Sequence, residues 1–463
     1  MKKIHSAVAA FCGTLMMAGS MHAMADSTDD IVHALISKGV LTEEEGALLL
    51  KGRAGEKEAQ EKAKKDNASV KVGKKGLEIA SPDGNFTMNI GGRLHTDWTY
   101  HDGDNNLLVG GDPTEPIEAT DGTDIRRARI AIRGTVLKDF NYILETDFAG
   151  DEVRMKDVFL AYTGLEPMEF TFGHQKQAMS MELEESSNDI MFTERSLITA
   201  MTSPYFDRAI GFTAKGFGES WNVQAGVYGD AMGRNTSEGR EGSGWAVRGT
   251  VAPINTENRL LHLGANFGQR EANFEGEPNS GTARLRNETT NMSDLYLTNT
   301  GTIDGFNKMS LGILEAAAMW GPWSIQSEFA KAKIDRDAGR SLDFDGLYVQ
   351  MGWTITGESR TYKGSDGEFK RLKPRNDFDL RKGKWGAWEV AARYDQIDLE
   401  DQDIEGGEQK RATLGLNWYL NENVRLMADY SRSFDLENSP ITTDSGDEPD
   451  SIDVFNLRAQ WAF

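Results

Sequence analysis

Arg127, Arg129 and Arg133 recur at even spacing within the stretch 123–150, TDIRRARIAIRGTVLKDFNYILETDFAG. Guanidinium groups are planar, permanently charged and grip phosphate-like anions through paired N–H donors. Three of them on one face suit anion binding rather than bond chemistry. The element that would place them so is a β-strand, because successive strand side chains point to opposite faces. Arg127, Arg129, Ala131, Arg133 and Thr135 then share one face, and Ala128, Ile130, Ile132, Gly134 and Val136 the other. After a turn at 137–140, Tyr142, Leu144, Thr146 and Phe148 form an apolar face opposed by Glu145 and Asp147. A half-buried soluble sheet explains alternation alone. A water-filled barrel in a membrane explains alternation, short turns and a charged inner face together. Arg126 has the opposite parity and is expected beyond the lipid at a strand end.

The same unit repeats from Phe86 to Phe463. By parity the inward basic set also contains Arg93, Lys215, Arg248, Arg393, Arg411, Arg425 and Arg458. The inward acidic set is Asp97, Glu145, Asp147, Asp157, Glu315, Glu328, Glu389, Asp395 and Asp429. The near balance argues against a uniformly positive tube. Cross-strand pairing that stiffens the wall is the plainer account of many of these charges, among them Glu389, Arg393 and Asp395. Arg127, Arg129 and Arg133 exceed what Glu145 and Asp147 can pair and are the first candidates to line an anion path.

Connections alternate between long polar loops and turns of a few residues, as outer-membrane barrels do. Counting strands gives about sixteen, enough to enclose an aqueous channel. One connection breaks the alternation. Residues 357–384 stand where a short turn is due, yet they are long and basic, with Arg360, Lys370, Arg371, Lys373 and Arg375. This segment is either a periplasmic anion site or a solvated charge run, the commoner case. Aromatic residues gather at strand ends, as interfacial girdles do.

Residues 1–25 read as a signal peptide: Lys2 and Lys3, an apolar core from Ala7 to Gly19, and Ala23-Met24-Ala25 before Asp26. Cys12, the single cysteine, lies inside it, so the exported chain has no thiol chemistry. Residues 26–80 are expected to form a helical periplasmic extension with a helix start capped at Thr42, and residues 81–463 the barrel. A net charge of −22 excludes nonspecific nucleic-acid binding. No nucleophile motif of the G-x-S-x-G type and no metal-ligand spacing occurs, so neither an enzyme nor a metal or other cofactor is expected.

Several segments taken in order resemble the phosphate-selective porins O and P of Gram-negative outer membranes. They are Gly91-Gly92-Arg93-Leu94, Arg126-Arg127-Ala128-Arg129, Gly173 with Lys176, Met181-Glu182, Glu194-Arg195, Thr356-Gly357-Glu358-Ser359-Arg360, Gly386 to Tyr394, Thr413 to Tyr419 and Asn423 to Met427. The resemblance spans nearly the whole barrel. It implies a sixteen-stranded homotrimeric porin in the outer membrane whose third long loop folds into the lumen, with an arginine-lined path for anions of phosphate or polyphosphate type. That loop would carry Lys176, Glu182, Glu194 and Arg195, either facing solute or anchoring the loop to the wall. Gln175 and Ala178 depart from the aromatic residue and proline often found in relatives. The expected partners are outer-membrane lipid, small anionic solutes and the barrel-assembly machinery, which would read the terminal strand ending at Phe463. A general or cation-preferring porin and a plugged barrel serving adhesion or structure are the alternatives.

Overall fold

The computed structural model describes residues 27–103, 107–109, 116–117, 119–150, 152–229, 242–271, 281–337, 339–443 and 445–463. The expected signal peptide lies outside the described residues. Two units are distinguished, residues 1–69 and 70–463.

The first unit contains helices α1 (Ser27–Ser37) and α2 (Glu43–Asp66). The start of α2 is the reciprocal cap read at Thr42. Glu45 N donates to Thr42 Oγ1 at 3.2 Å, and Thr42 N donates to Glu45 Oε2 at 2.9 Å. These hydrogen bonds hold the Glu45 carboxyl below its ordinary range.

The second unit is a closed barrel. Its strands are β1 (Phe86–Gly103), β2 (Gly122–Val136), β3 (Phe140–Asp147), β4 (Arg154–Leu165), β5 (Met168–Lys176), β6 (Arg208–Phe217), β7 (Trp221–Tyr228), β8 (Gly244–Thr256), β9 (Arg259–Glu271), β10 (Phe306–Trp320), β11 (Trp323–Arg336), β12 (Leu342–Thr354), β13 (Ala387–Asp401), β14 (Ile404–Tyr419), β15 (Val424–Glu437) and β16 (Ser451–Ala462). Each pairs antiparallel with the next. The ring closes where β16 pairs with β1. Phe463 finishes the seam: its N–H donates to Gly92 O at 3.0 Å and its carbonyl accepts from Gly92 N at 2.9 Å. The sheet also begins ahead of residue 81, because Gly76–Ala80 pairs with β1.

Closure satisfies every ladder without an edge, which is why such a ring suits a membrane. The outer face is apolar and unpartnered, with Phe172, Leu314 and Leu414 each more than 60% exposed. Of ten tryptophans, eight sit at the short-turn end of the barrel: Trp221, Trp320, Trp323, Trp353, Trp385, Trp388, Trp418 and Trp461. Trp323–Trp353 and Trp388–Trp418 stack at 5.0 and 4.8 Å. This belt marks one membrane boundary.

Inside, the wall is not polar throughout. Ile313, Ala317, Met319, Ala330, Ala332, Phe344 and Ile397 point inward and are buried. Alternation on β10 to β13 therefore sorts lipid-facing from covered, not lipid-facing from wet. What covers these side chains is chain that has folded into the lumen.

Candidate functional site

The segment 177–207, between β5 and β6, turns inward because it carries its own apolar load. Met179, Leu197, Ile198, Met201 and Phe206 join the inward residues of β10 to β13 in one core. Met191 and Phe192 pack on Ala391. Helix α3 (Met181–Glu184) and helix α4 (Thr199–Phe206) lie within this segment.

Its backbone is held by charged wall residues. Glu328 on β11 accepts from Ser180 Oγ, Met181 N and Glu182 N at 2.8–3.1 Å. Asp395 accepts from Leu197 N at 2.9 Å, and Asp429 from Thr193 N at 2.6 Å. Arg393 donates to Glu194 O, Arg411 to Arg195 O, Arg425 to Ile190 O and Arg458 to Thr193 O. Glu182 turns back to accept from Ser196 N and Oγ and pins the loop to itself.

A second segment enters from the opposite end. Residues 361–370 form a hairpin in the long turn between β12 and β13. Its tip is clamped by Arg248, which donates to Asp366 O and Gly367 O while its Nε and Nη2 fork onto Glu315, each at 2.9 Å. Lys215 reaches Asp366 at 3.0 Å. Gly367 has φ +66°, and a Cβ there would lie 2.6 Å from Thr250 Oγ1, so only glycine fits. Arg360 donates to Asp189 O and covers the Phe369 ring, and Arg371 pairs with Asp189 at 3.3 Å.

These contacts correct the parity reading. Arg248, Arg393, Arg411, Arg425 and Arg458 do face inward, but they are buried under the two in-folded segments and do not line water. Lys215 is spent on the hairpin. Arg360 and Arg371 are internal ties, neither a solvated charge run nor an open anion site; Lys373 is exposed.

The lumen stays open against β1 to β6. A cavity of about 410 Å³ is bounded there by the inner faces of these strands and by the segment 177–207. Nine cations line it: Arg93, Arg126, Arg127, Arg129, Arg133, Lys156, Lys176, Arg195 and Arg208. Six carboxylates do so: Glu145, Asp157, Glu184, Glu194, Asp207 and Glu368. Four cations take carboxylate partners. Arg93 pairs with Glu145, Arg129 with Glu145 and Asp147, Arg126 with Glu194, and Arg208 with Asp157 and Asp207, all at 2.7–3.1 Å. Arg127, Arg133 and Lys156 make no ion pair among the described residues. Lys176 and Arg195 donate to backbone carbonyls of residues 182–185. Burial opposes ionisation of Glu194, but Arg126, Arg458 and Arg127 outweigh it and hold its carboxyl well below the usual range.

Of the residues proposed from sequence, the cavity brings together Arg93, Arg127, Arg129, Arg133, Lys176, Glu194 and Arg195. It adds Arg126, Lys156 and Arg208, which parity missed. Arg126 does not lie beyond the lipid. Between His95↔Arg127 and Asp97↔Asp124 the register slips by one residue, and this bulge lets Arg126 and Arg127 both face the lumen. A second slip, between Leu144↔Val158 and Thr146↔Met155, does the same for Lys156 and Asp157. A bulge sets two residues against one and re-aims a side chain, which a period-two reading cannot register. Arg208 opens β6 directly across from Lys176, at a loop–strand boundary without alternation to read.

A family model described as phosphate-selective porin O and P matches residues 88–463. Porin O of Pseudomonas aeruginosa is 28% identical over 430 residues, covering 86% of this chain and 93% of that protein. The anion-selective porin from Comamonas acidovorans superposes with a TM-score of 0.51 at 13% identity, over 82% of this chain and all of that one. A loop-deletion form of OmpT, an outer membrane protein of Vibrio cholerae, gives 0.51 at 12% identity over 82% of this chain. These two likenesses speak for the fold. With a model match running from β1 to the last residue, the chain belongs to the phosphate-selective porin O and P family and is a channel of the Gram-negative outer membrane.

Proposed function

We propose that the channel prefers anions, and phosphate-like oxyanions among them, at the cavity between β1–β6 and the segment 177–207. The observation that carries this is the cavity's excess of cations, nine against six carboxylates, with the exposed Arg133 making no ion pair among the described residues. Arg127 beside it is 5% exposed, and among the described residues it has no ion pair and its Nη1 no hydrogen-bond partner. An unpaired donor on a buried group costs about 1–3 kcal/mol, more when charged. An oxyanion in the cavity can take two N–H donors at once from Arg133, and its charge offsets that of Arg127 behind the wall. In a narrow, partly dehydrated passage each fixed charge acts more strongly than in bulk water. Carboxylates on four of the nine cations temper the site, so that an anion also leaves. The names of Porin O's family and of the Comamonas acidovorans porin agree with this preference.

The same reading makes the protein a passive conduit without a catalytic step or cofactor. It is exported by residues 1–25, recognised by the barrel-assembly machinery through the strand ending at Phe463, embedded in lipid and assembled as a homotrimer. In planar bilayers, added phosphate should block the chloride current of the wild type. R133A should raise the half-blocking concentration roughly tenfold, the worth of one charged hydrogen bond. Absence of block in the wild type, or equal block in R133A, would reject the site.

A further inference from the structure

After Leu372 the turn between β12 and β13 leaves the lumen, and its last part lies on a different surface. Phe378 packs edge-on against Trp418 at 5.2 Å, and Trp418 Nε1 donates to Trp385 O at 2.7 Å. Trp388 and Trp418 belong to the outward face, since their neighbours Glu389 and Asn417 are the buried, inward ones. The segment therefore rests on the outside of the barrel at the tryptophan belt. Leu380 and Trp385 project from it, 64% and 57% exposed.

Beside these rings opens a cavity of about 680 Å³ whose cations are Lys74, Arg375, Arg381, Lys382 and Lys384. Two are engaged: Lys74 with Asp377 and Glu422 at 3.5 and 3.6 Å, and Lys382 with Asp379 at 3.2 Å. Arg375 Nη2 donates to Gly357 O. Arg375, Arg381 and Lys384 make no ion pair among the described residues. On a chain of net charge −22, this is a local positive excess placed against apolar side chains at the membrane boundary.

We propose that this rim cavity binds the phosphate of an anionic glycerophospholipid in the periplasmic leaflet, with the acyl chains lying along Leu380 and Trp385. Short turns face the periplasm in such barrels, which fixes the leaflet. Tryptophans hold the headgroup level, and lysine and arginine stems cover apolar surface while their charges stay at the headgroups. Lipid suits the site better than a soluble anion, because Leu380 and Trp385 point where hydrocarbon, not water, can cover them. The site lies outside the lumen, so it is independent of the anion path.

Native mass spectrometry of the full-length porin in detergent with equal dioleoyl phosphatidylglycerol and dioleoyl phosphatidylcholine tests this. The wild type should retain phosphatidylglycerol preferentially, and excess inorganic phosphate should not displace it. Each cation near an anionic headgroup contributes about fivefold in binding, so R381Q/K384Q should lower that preference on the order of tenfold or more. Both side chains are exposed, and heat-modifiable migration on gels checks that the variant folds. Equal retention of the two lipids by the wild type overturns the proposal without recourse to any variant. So does an unchanged preference in folded R381Q/K384Q. Displacement by inorganic phosphate would make this a soluble-anion site and overturn the lipid assignment.

Discussion

The two sides of the barrel interior use the same residue types to opposite ends. On β8 to β16, inward arginines and carboxylates are spent on each other and on the backbone of chain folded into the lumen. Arg248 with Glu315, Arg411 with Asp395 and Arg458 with Asp97 are buried pairs of this kind. On β1 to β6 most inward charges, though not Asp97 or Lys215, meet a cavity, and two bulges crowd extra cations into it. An inward charge thus becomes a structural tie or is left facing the cavity according to whether something covers it, and parity alone does not decide which.

The largest expected effect lies on the covered side. Removing one partner of a buried ion pair leaves an uncompensated charge and typically costs about 3–5 kcal/mol. R248A should therefore lower resistance to thermal unfolding markedly, measured by the gel shift of the folded barrel. It should also release the hairpin tip and widen the conductance, while leaving the sign of selectivity unchanged. A change of selectivity in R248A with stability intact would break the comparison between the two sides.

On the open side the order reverses. R126A removes a cation that a bulge alone brings to the lumen, together with the partner of Glu194. Anion over cation permeability should fall several-fold, with thermal stability little changed. If R126A alters neither selectivity nor phosphate block, the bulge does not serve the path.

The smallest effect concerns pH. Glu185 is buried within the segment 177–207, and neither carboxylate oxygen has a hydrogen-bond partner among the described residues. Burial pushes its carboxyl up from 4.5 to about 8, against the pull of Arg360. The native state thus holds a proton that the unfolded chain releases near 4.5. The seat of the loop is strongest below that pH and weakens as pH rises through about 8. Current noise in the open channel should grow over this window in the wild type and stay flat in E185Q. Equal noise in both proteins at every pH would count against it.

Much of the fold was legible. Alternation at Ala128–Val136 or Leu347–Ile355 needs only strand geometry and a lipid on one side, and the Thr42 cap needs only four residues. Partners were not legible, because they lie far apart in sequence: Arg458 meets Asp97 361 residues away, and Glu328 meets Ser180 148 residues away. The basic turn at 357–384 could be marked as exceptional from its length. That Arg360 and Arg371 would both reach Asp189 depends on a second segment arriving from the other end. Arg126 and Lys156 were lost because a bulge breaks the very period that located their neighbours.

The zero-current potential of single channels in a KCl gradient tests the difference between the two sides most directly. It should be read for the wild type, for R127A/R129A/R133A on the open wall and for R411A on the covered wall. The wild type and R411A should both reverse toward the chloride equilibrium potential, and the triple variant should shift toward that of potassium. A cation-preferring wild type, or a triple variant that reverses where the wild type does, would contradict the assignment of the anion path to β1–β6.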